Sequence, residues 1–203
     1  LEFRRVLFRS FQDSWSDFGH NRTLALQRAY QKTDYLLIFD ADDAFHGNFK
    51  LPSKIEKDMV HLFFDGRGIR YKRPLILNNQ KRWRWKGVLH EFIVAEEDIN
   101  GELVIDGDYY VESGRLGSRN KDKDKYLNDA LLLQRDFELE EKRDYGLATR
   151  YAYYIGQSYR DCPKTPENQD LALKWFQKRI DMGGWPQEVY VSCLEIATIH
   201  SSR

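Results

Sequence analysis

The chain has 203 residues and a mass of 24.2 kDa, enough for one substantial core or two small ones. Its 32 basic and 32 acidic side chains cancel, which removes the electrostatic case for nucleic acid or an anionic membrane as partner. No apolar run approaches the ~20 residues of a membrane helix, and no signal-peptide pattern opens the chain. Only Cys162 and Cys193 occur, which argues against a disulfide framework and fits a reducing, cytoplasmic setting.

Residues 1–10 carry three arginines among scattered hydrophobics without a period, read as translated adaptor sequence, and are set aside from the fold. Trp15-Ser16-Asp17-Phe18-Gly19-His20-Asn21-Arg22 then leads into Thr23-Leu24-Ala25-Leu26-Gln27-Arg28-Ala29-Tyr30, whose spacings suit a helix capped by Asn21 or Thr23. Tyr35-Leu36-Leu37-Ile38-Phe39 is a short apolar run ending in Asp40-Ala41-Asp42-Asp43. A buried parallel strand that delivers carboxylates to its C-terminal edge is expected there, and the order helix, strand, acids is that of a doubly wound sheet. Residues 44–52 are expected to form a loop. A hairpin over 59–64 and 69–77 turns at Gly66-Arg67-Gly68, with Pro74 pushing its second arm toward an edge. Arg82-Trp83-Arg84-Trp85 alternates, 88–94 reads as a short strand, and 103–112 as the last one.

Beyond residue 120 the period becomes helical. Tyr126, Ala130, Leu133 and Phe137 fall on one face, with Asp122 or Asp124 near the start, and helices over 147–160, 167–181 and from Pro186 follow.

In an extended chain Asp40 and Asp42 share a side, and two hard oxygen ligands so close repel unless a cation lies between them. Mg²⁺ or Mn²⁺ chelated by a phosphate is the usual such cation. Asn21 and Arg22, expected just before a helix, suit a diphosphate; Arg22 either clamps phosphate or pairs with Asp17.

Three stretches now resemble glycosyltransferase family 2, the inverting family with the GT-A fold: Asp17-Phe18-Gly19-His20-Asn21-Arg22, Asp34-Tyr35-Leu36-Leu37-Ile38-Phe39-Asp40-Ala41-Asp42-Asp43, and Trp83-Arg84-Trp85-Lys86-Gly87-Val88-Leu89-His90-Glu91. The resemblance covers roughly residues 13–120. It implies sugar transfer from a nucleotide diphosphate sugar to an acceptor hydroxyl on a glycan or glycoconjugate, with Asp42 holding Mn²⁺ or Mg²⁺ and Asp40 and Asp43 assisting. It also implies that Glu91 is the base, its pKa raised among Trp83, Trp85 and Phe92, against the plainer reading of a strand carboxylate paired with Arg82 or Arg84. His90 is a third ligand, a phosphate donor or a structural residue, and a strand would point it away from the Glu91 side. Histidines 20, 46, 61 and 200 show no metal-ligand spacing with it. Arg115 and Arg119, flanking Gly117-Ser118, lie where this fold often places a lid over donor phosphates. Trp83 and Trp85 either stack on a sugar or belong to the core. Such domains normally begin with a nucleobase-holding strand some tens of residues before Asn21-Arg22. That strand is missing here, so the fragment is expected to be inactive alone.

Ile155-Gly156 with Tyr159, then Ala172 and Phe176, are similar to the small and aromatic positions of a tetratricopeptide repeat. The expected fold class is therefore α/β: a partial GT-A, Rossmann-like mixed sheet over 11–120, then an all-α helical-hairpin region over 121–203 that presents a concave surface, with room for a protein partner, and is separable from the chemistry. The alternative function is a tetratricopeptide-type interaction protein with a degenerate transferase half. A phosphotransferase or hydrolase would need a Gly-rich phosphate loop that the sequence lacks.

Overall fold

A computed structural model describes residues 10–66, 68–114, 116–117 and 121–203. The segment set aside as adaptor, apart from Ser10, and the hairpin-turn residue Arg67 lie outside these residues. The fold is α/β, a curled mixed sheet followed by four helices, as the periods of the two halves predict. No helix among the described residues is long and apolar enough to cross a membrane.

Helix α1, Phe18–Ala29, starts earlier than its apolar spacing suggests because Asp17 is the N-cap, its carboxylate accepting from the His20 amide at 2.7 Å. Strand β1 is only Tyr35–Leu37 and pairs antiparallel with β4, Ile69–Asn78. It stands at the end of the sheet order with Leu37 52 % exposed, so the expected buried parallel strand is corrected to a short edge strand. The supposed loop after the acids contains β2, Asp43–Gly47, paired antiparallel with β8, Tyr109–Ser113. Stacked rings of Phe39, Phe45 and Phe49 support β2, although its sequence does not alternate.

The hairpin of β3, Met59–Gly66, with β4 forms as predicted, but β4 lies between β1 and β3 and is not an edge. Pro74 is tolerated there because the ladder shifts between Val60 and His61, leaving Pro74 opposite His61 at an irregularity. The six-stranded sheet has the order β1-β4-β3-β8-β2, and β7, Glu102–Val104, adds in parallel to β3. The single strand expected over 103–112 is thus two, β7 and β8, divided where Gly107 takes φ +153°.

Alternation along β3 divides the apolar side chains between two cores. Val60, Leu62 and Phe64 join Ile76 and Val111 on one side. Met59 and Leu77 join Leu26 of α1 with Trp83, Trp85 and Ile93 of a separate hairpin, β5 (Trp83–Lys86) and β6 (Phe92–Ala95). Trp83 and Trp85 are therefore core residues, 5 % and 9 % exposed, and not open sugar platforms.

The helices α2 (Lys125–Arg143), α3 (Tyr145–Asp161), α4 (Pro166–Met182) and α5 (Pro186–Ser201) fall within a few residues of their predicted spans. Asp144 and Thr165 cap α3 and α4, and Pro166 and Pro186 occupy first turns, where a missing N–H is harmless. Gly156 of α3 lies against the Phe176 ring of α4, which leaves no room for a Cβ. The helical core also takes in Leu89, with Phe18, Val88 and Phe92 packed against it. The helices are therefore joined to the sheet half by shared apolar burial.

Gly19 lies where α1 passes the segment after β5, and a Cβ there would run into the Gly87 carbonyl. Gly19→Ala should destabilise the fold by about 1–3 kcal/mol, the usual cost of overpacking, despite the ~1 kcal/mol that alanine adds to helix propensity. Urea unfolding should show a lower midpoint at unchanged slope.

Candidate active site

The three motifs meet at one open cleft of about 620 Å³. Its wall is built by Arg22 of α1, Asp40 after β1, His90 and Glu91 before β6, and Arg150 and Tyr154 of α3. Further residues are Tyr71 and Arg73 of β4, Ser113 of β8, and Lys125 and Asp129 of α2.

Arg22 organises the cleft. Its Nη2 donates to an Asp40 oxygen, its Nε lies 3.2 Å from Glu91 Oε1, and its guanidinium sits 4.8 Å above the Trp85 ring. The side chains of Arg22 and Glu91 are 25 % and 13 % exposed, so this pair is less screened than a surface one. The partner of Glu91 is thus Arg22. Arg84 lies 3.7 Å from Glu96, and Arg82 donates its amide to Glu97. Asp17 is occupied as a cap and does not pair with Arg22.

Asn21 is inside α1, its amide bonded to the Asp17 carbonyl and its side chain to Ser14 and Ser16. Its predicted role as a free N-terminal phosphate group is corrected on that geometry. Arg115 and Arg119 lie outside the described residues.

The acids after β1 follow a turn, the Asp43 amide donating to the Asp40 carbonyl at 3.0 Å, and so are not strung along an extended strand. Asp42, between them, accepts at Oδ2 from the Leu116 amide at 2.7 Å, beyond the end of β8. Asp43 keeps Oδ1 buried without a partner. Burial first, then the Asp40 charge, push its pKa up, against a Ser113 hydrogen bond and the charge of Arg73. Among the described residues no three His, Cys, Asp or Glu side chains converge into a group that could hold a metal. A repelling pair with one orphaned oxygen matches part of the shell of a cation such as Mg²⁺, which commonly uses one or two carboxylates and takes other ligands from phosphate and water.

His90 and Glu91 both reach the cleft, contrary to strand alternation, because the strand begins only at Phe92 and His90 adopts φ +53°. The His90 ring stacks on Tyr154 with centroids 3.8 Å apart at 6°. Arg150 donates from Nε and Nη2 to the His90 carbonyl at 3.2 and 3.1 Å. Tyr151, its hydroxyl pushed up to about 12 by burial and so neutral, accepts the Val88 amide at 2.9 Å. Sequence reasoning missed Arg73, Arg150 and Tyr154. The four-residue spacing of Arg150 and Tyr154 marks one helix face, but nothing local ties that face to residue 90.

No protein-family model and no curated protein matches this chain.

Since the folded chain holds the Asp43 proton more tightly than the unfolded one, stability should fall as pH rises from 3.8 through the raised value. Asp43→Asn should remove that decline and leave the variant more stable than the parent at pH 7 but not at pH 3. Thermal unfolding at the two pH values measures this.

Proposed function

We propose that the chain is the catalytic part of a metal-dependent, inverting glycosyltransferase of the family 2 type, taking a nucleotide diphosphate sugar as donor and a glycan or glycoconjugate hydroxyl as acceptor in the cytoplasm. The observation that carries this reading is the meeting of Arg22, Asp40 and Glu91, one from each of three separate motifs, in a single cleft.

In this reaction the acceptor oxygen forms a bond to the anomeric carbon as the bond from that carbon to the diphosphate breaks. The acceptor proton goes to Glu91, and the electron pair leaves with the nucleoside diphosphate. Asp42, with Asp40 and Asp43, would hold Mn²⁺ or Mg²⁺, which when bound supplies charge stabilisation for the departing phosphate. Arg22 gives the chain its own means of timing. While it pairs with Glu91 that carboxylate is occupied; a diphosphate in the cleft competes for the guanidinium, and drawing it away leaves Glu91 open to the acceptor hydroxyl. The orphaned Asp43 Oδ1 supports a cation there, since that one oxygen is buried without a partner while the carboxylate's other contact is Ser113.

Glu91→Gln, in a form extended upstream to include the nucleobase strand expected for the family, should lower turnover by ~10²-fold or more with donor binding nearly intact. Lost donor affinity at unchanged turnover would assign Glu91 to structure instead. Asp42→Asn should abolish manganese-dependent binding of uridine, guanosine or cytidine diphosphate in calorimetry; parental activity in that variant would remove Asp42 from the metal site. An interaction protein with a degenerate transferase half would bind none of these nucleotides.

A further inference from the structure

We infer that Arg150 of helix α3 is a positioning residue for transfer: it holds the His90 bend that aims Glu91 into the cleft, so the helical region shapes the site it adjoins. This rests on the reading of Glu91 as the base.

Four observations converge on it. His90 is a non-glycine residue at φ +53°, a conformation histidine visits more readily than most but which persists only where surroundings impose it. The imposing groups come from one helix. Arg150 donates twice to the His90 carbonyl, Tyr154 stacks on the His90 ring, and Tyr151 accepts the Val88 amide, so successive points of the 88–90 segment are fixed by α3. Arg150 is itself oriented, its guanidinium carbon lying 5.2 Å from the Phe92 ring and 4.9 Å from the Tyr154 ring. Its Nη1 lies 3.7 Å from Glu188 of α5, and Glu188 accepts at 3.1 Å from Arg179 Nε, a side chain with 0 % exposure. Arg179 in turn donates to the Gly183 and Trp185 carbonyls in the α4–α5 turn. A continuous set of charged hydrogen bonds and ion pairs thus runs from that turn to the residue before Glu91.

The consequence is geometric. Without the bend, residues 90 and 91 would return to strand alternation and point to opposite sides, taking either His90 or Glu91 out of the cleft. Arg150 acts on Glu91 through the backbone of His90, the residue directly before it.

The test compares Arg150→Gln and Arg150→Lys with the parent. In the 203-residue chain without substrate, the His90 ring protons should be shifted upfield in the NMR spectrum by the Tyr154 ring. Arg150→Gln should lose most of that shift while other methyl and amide signals of the helices keep their positions, and Arg150→Lys should retain part of it. In the upstream-extended form, Arg150→Gln should lower kcat at least tenfold with the donor KM unchanged, and the lysine variant should recover part of the loss. His90 signals unaltered in Arg150→Gln would overturn the positioning role. Altered signals with parental kcat would overturn its link to transfer. Should the parent itself transfer no sugar, the proposed function fails, and the His90 signals still decide whether Arg150 holds the bend.

Discussion

One guanidinium holds the sheet half's site together. Arg22 stands between Asp40 and Glu91 over the face of Trp85, and these contacts come from two stretches of chain, 34–43 and 83–91. The two carboxylates are brought into one cleft, and removal of the cation would leave them facing each other in a half-buried space, where unpaired charge is costly. The arrangement depends on α1 starting at Phe18, which places Arg22 one turn into the helix on the side that meets β5. Asp17 caps that helix and is unavailable to Arg22, so the cap and the cluster divide the local acids between them.

The helical region completes the enclosure. Leu89 lies 5 % exposed within the core of α2, α3 and α4, and Val88 and Phe92 pack on that core from either side of the bend. Apolar burial and polar tethers therefore act on the same five residues. Burial of Leu89 anchors the segment, and the directional bonds from Tyr151 and Arg150 select its conformation. Hydrophobic contact alone is not directional enough to keep a histidine in the left-handed region.

What could be read from sequence followed how local each signal was. The helices were legible because Tyr126, Ala130, Leu133 and Phe137 repeat at helical spacing and because Pro186 marks the start of the last one. The β3–β4 hairpin was legible from its glycine turn. Strand β2 was not: Asp43–Gly47 has no alternation and exists because β8, far along the chain, offers it a ladder. The edge position of β1 was hidden for the same reason, since an apolar run does not state which strands will flank it. At the site, the residue types of Arg22, Asp40 and Glu91 were readable but their partners were not. Alternation set His90 and Glu91 apart, and the single positive φ that reunites them arises from a helix about sixty positions later.

That separation has a consequence for how the molecule is made. The bonds from α3 to the 88–90 segment span 60 to 63 residues of sequence, whereas the helical hairpins close through neighbours. At a translation rate of roughly 5–20 residues per second, several seconds pass between emergence of the segment that carries Glu91 and that of the helix that shapes it. During that interval Leu89, Val88 and Phe92 are bare. The nascent chain therefore presents an apolar segment to chaperones or to other chains until α3 arrives, and the site is among the last features to acquire its native form.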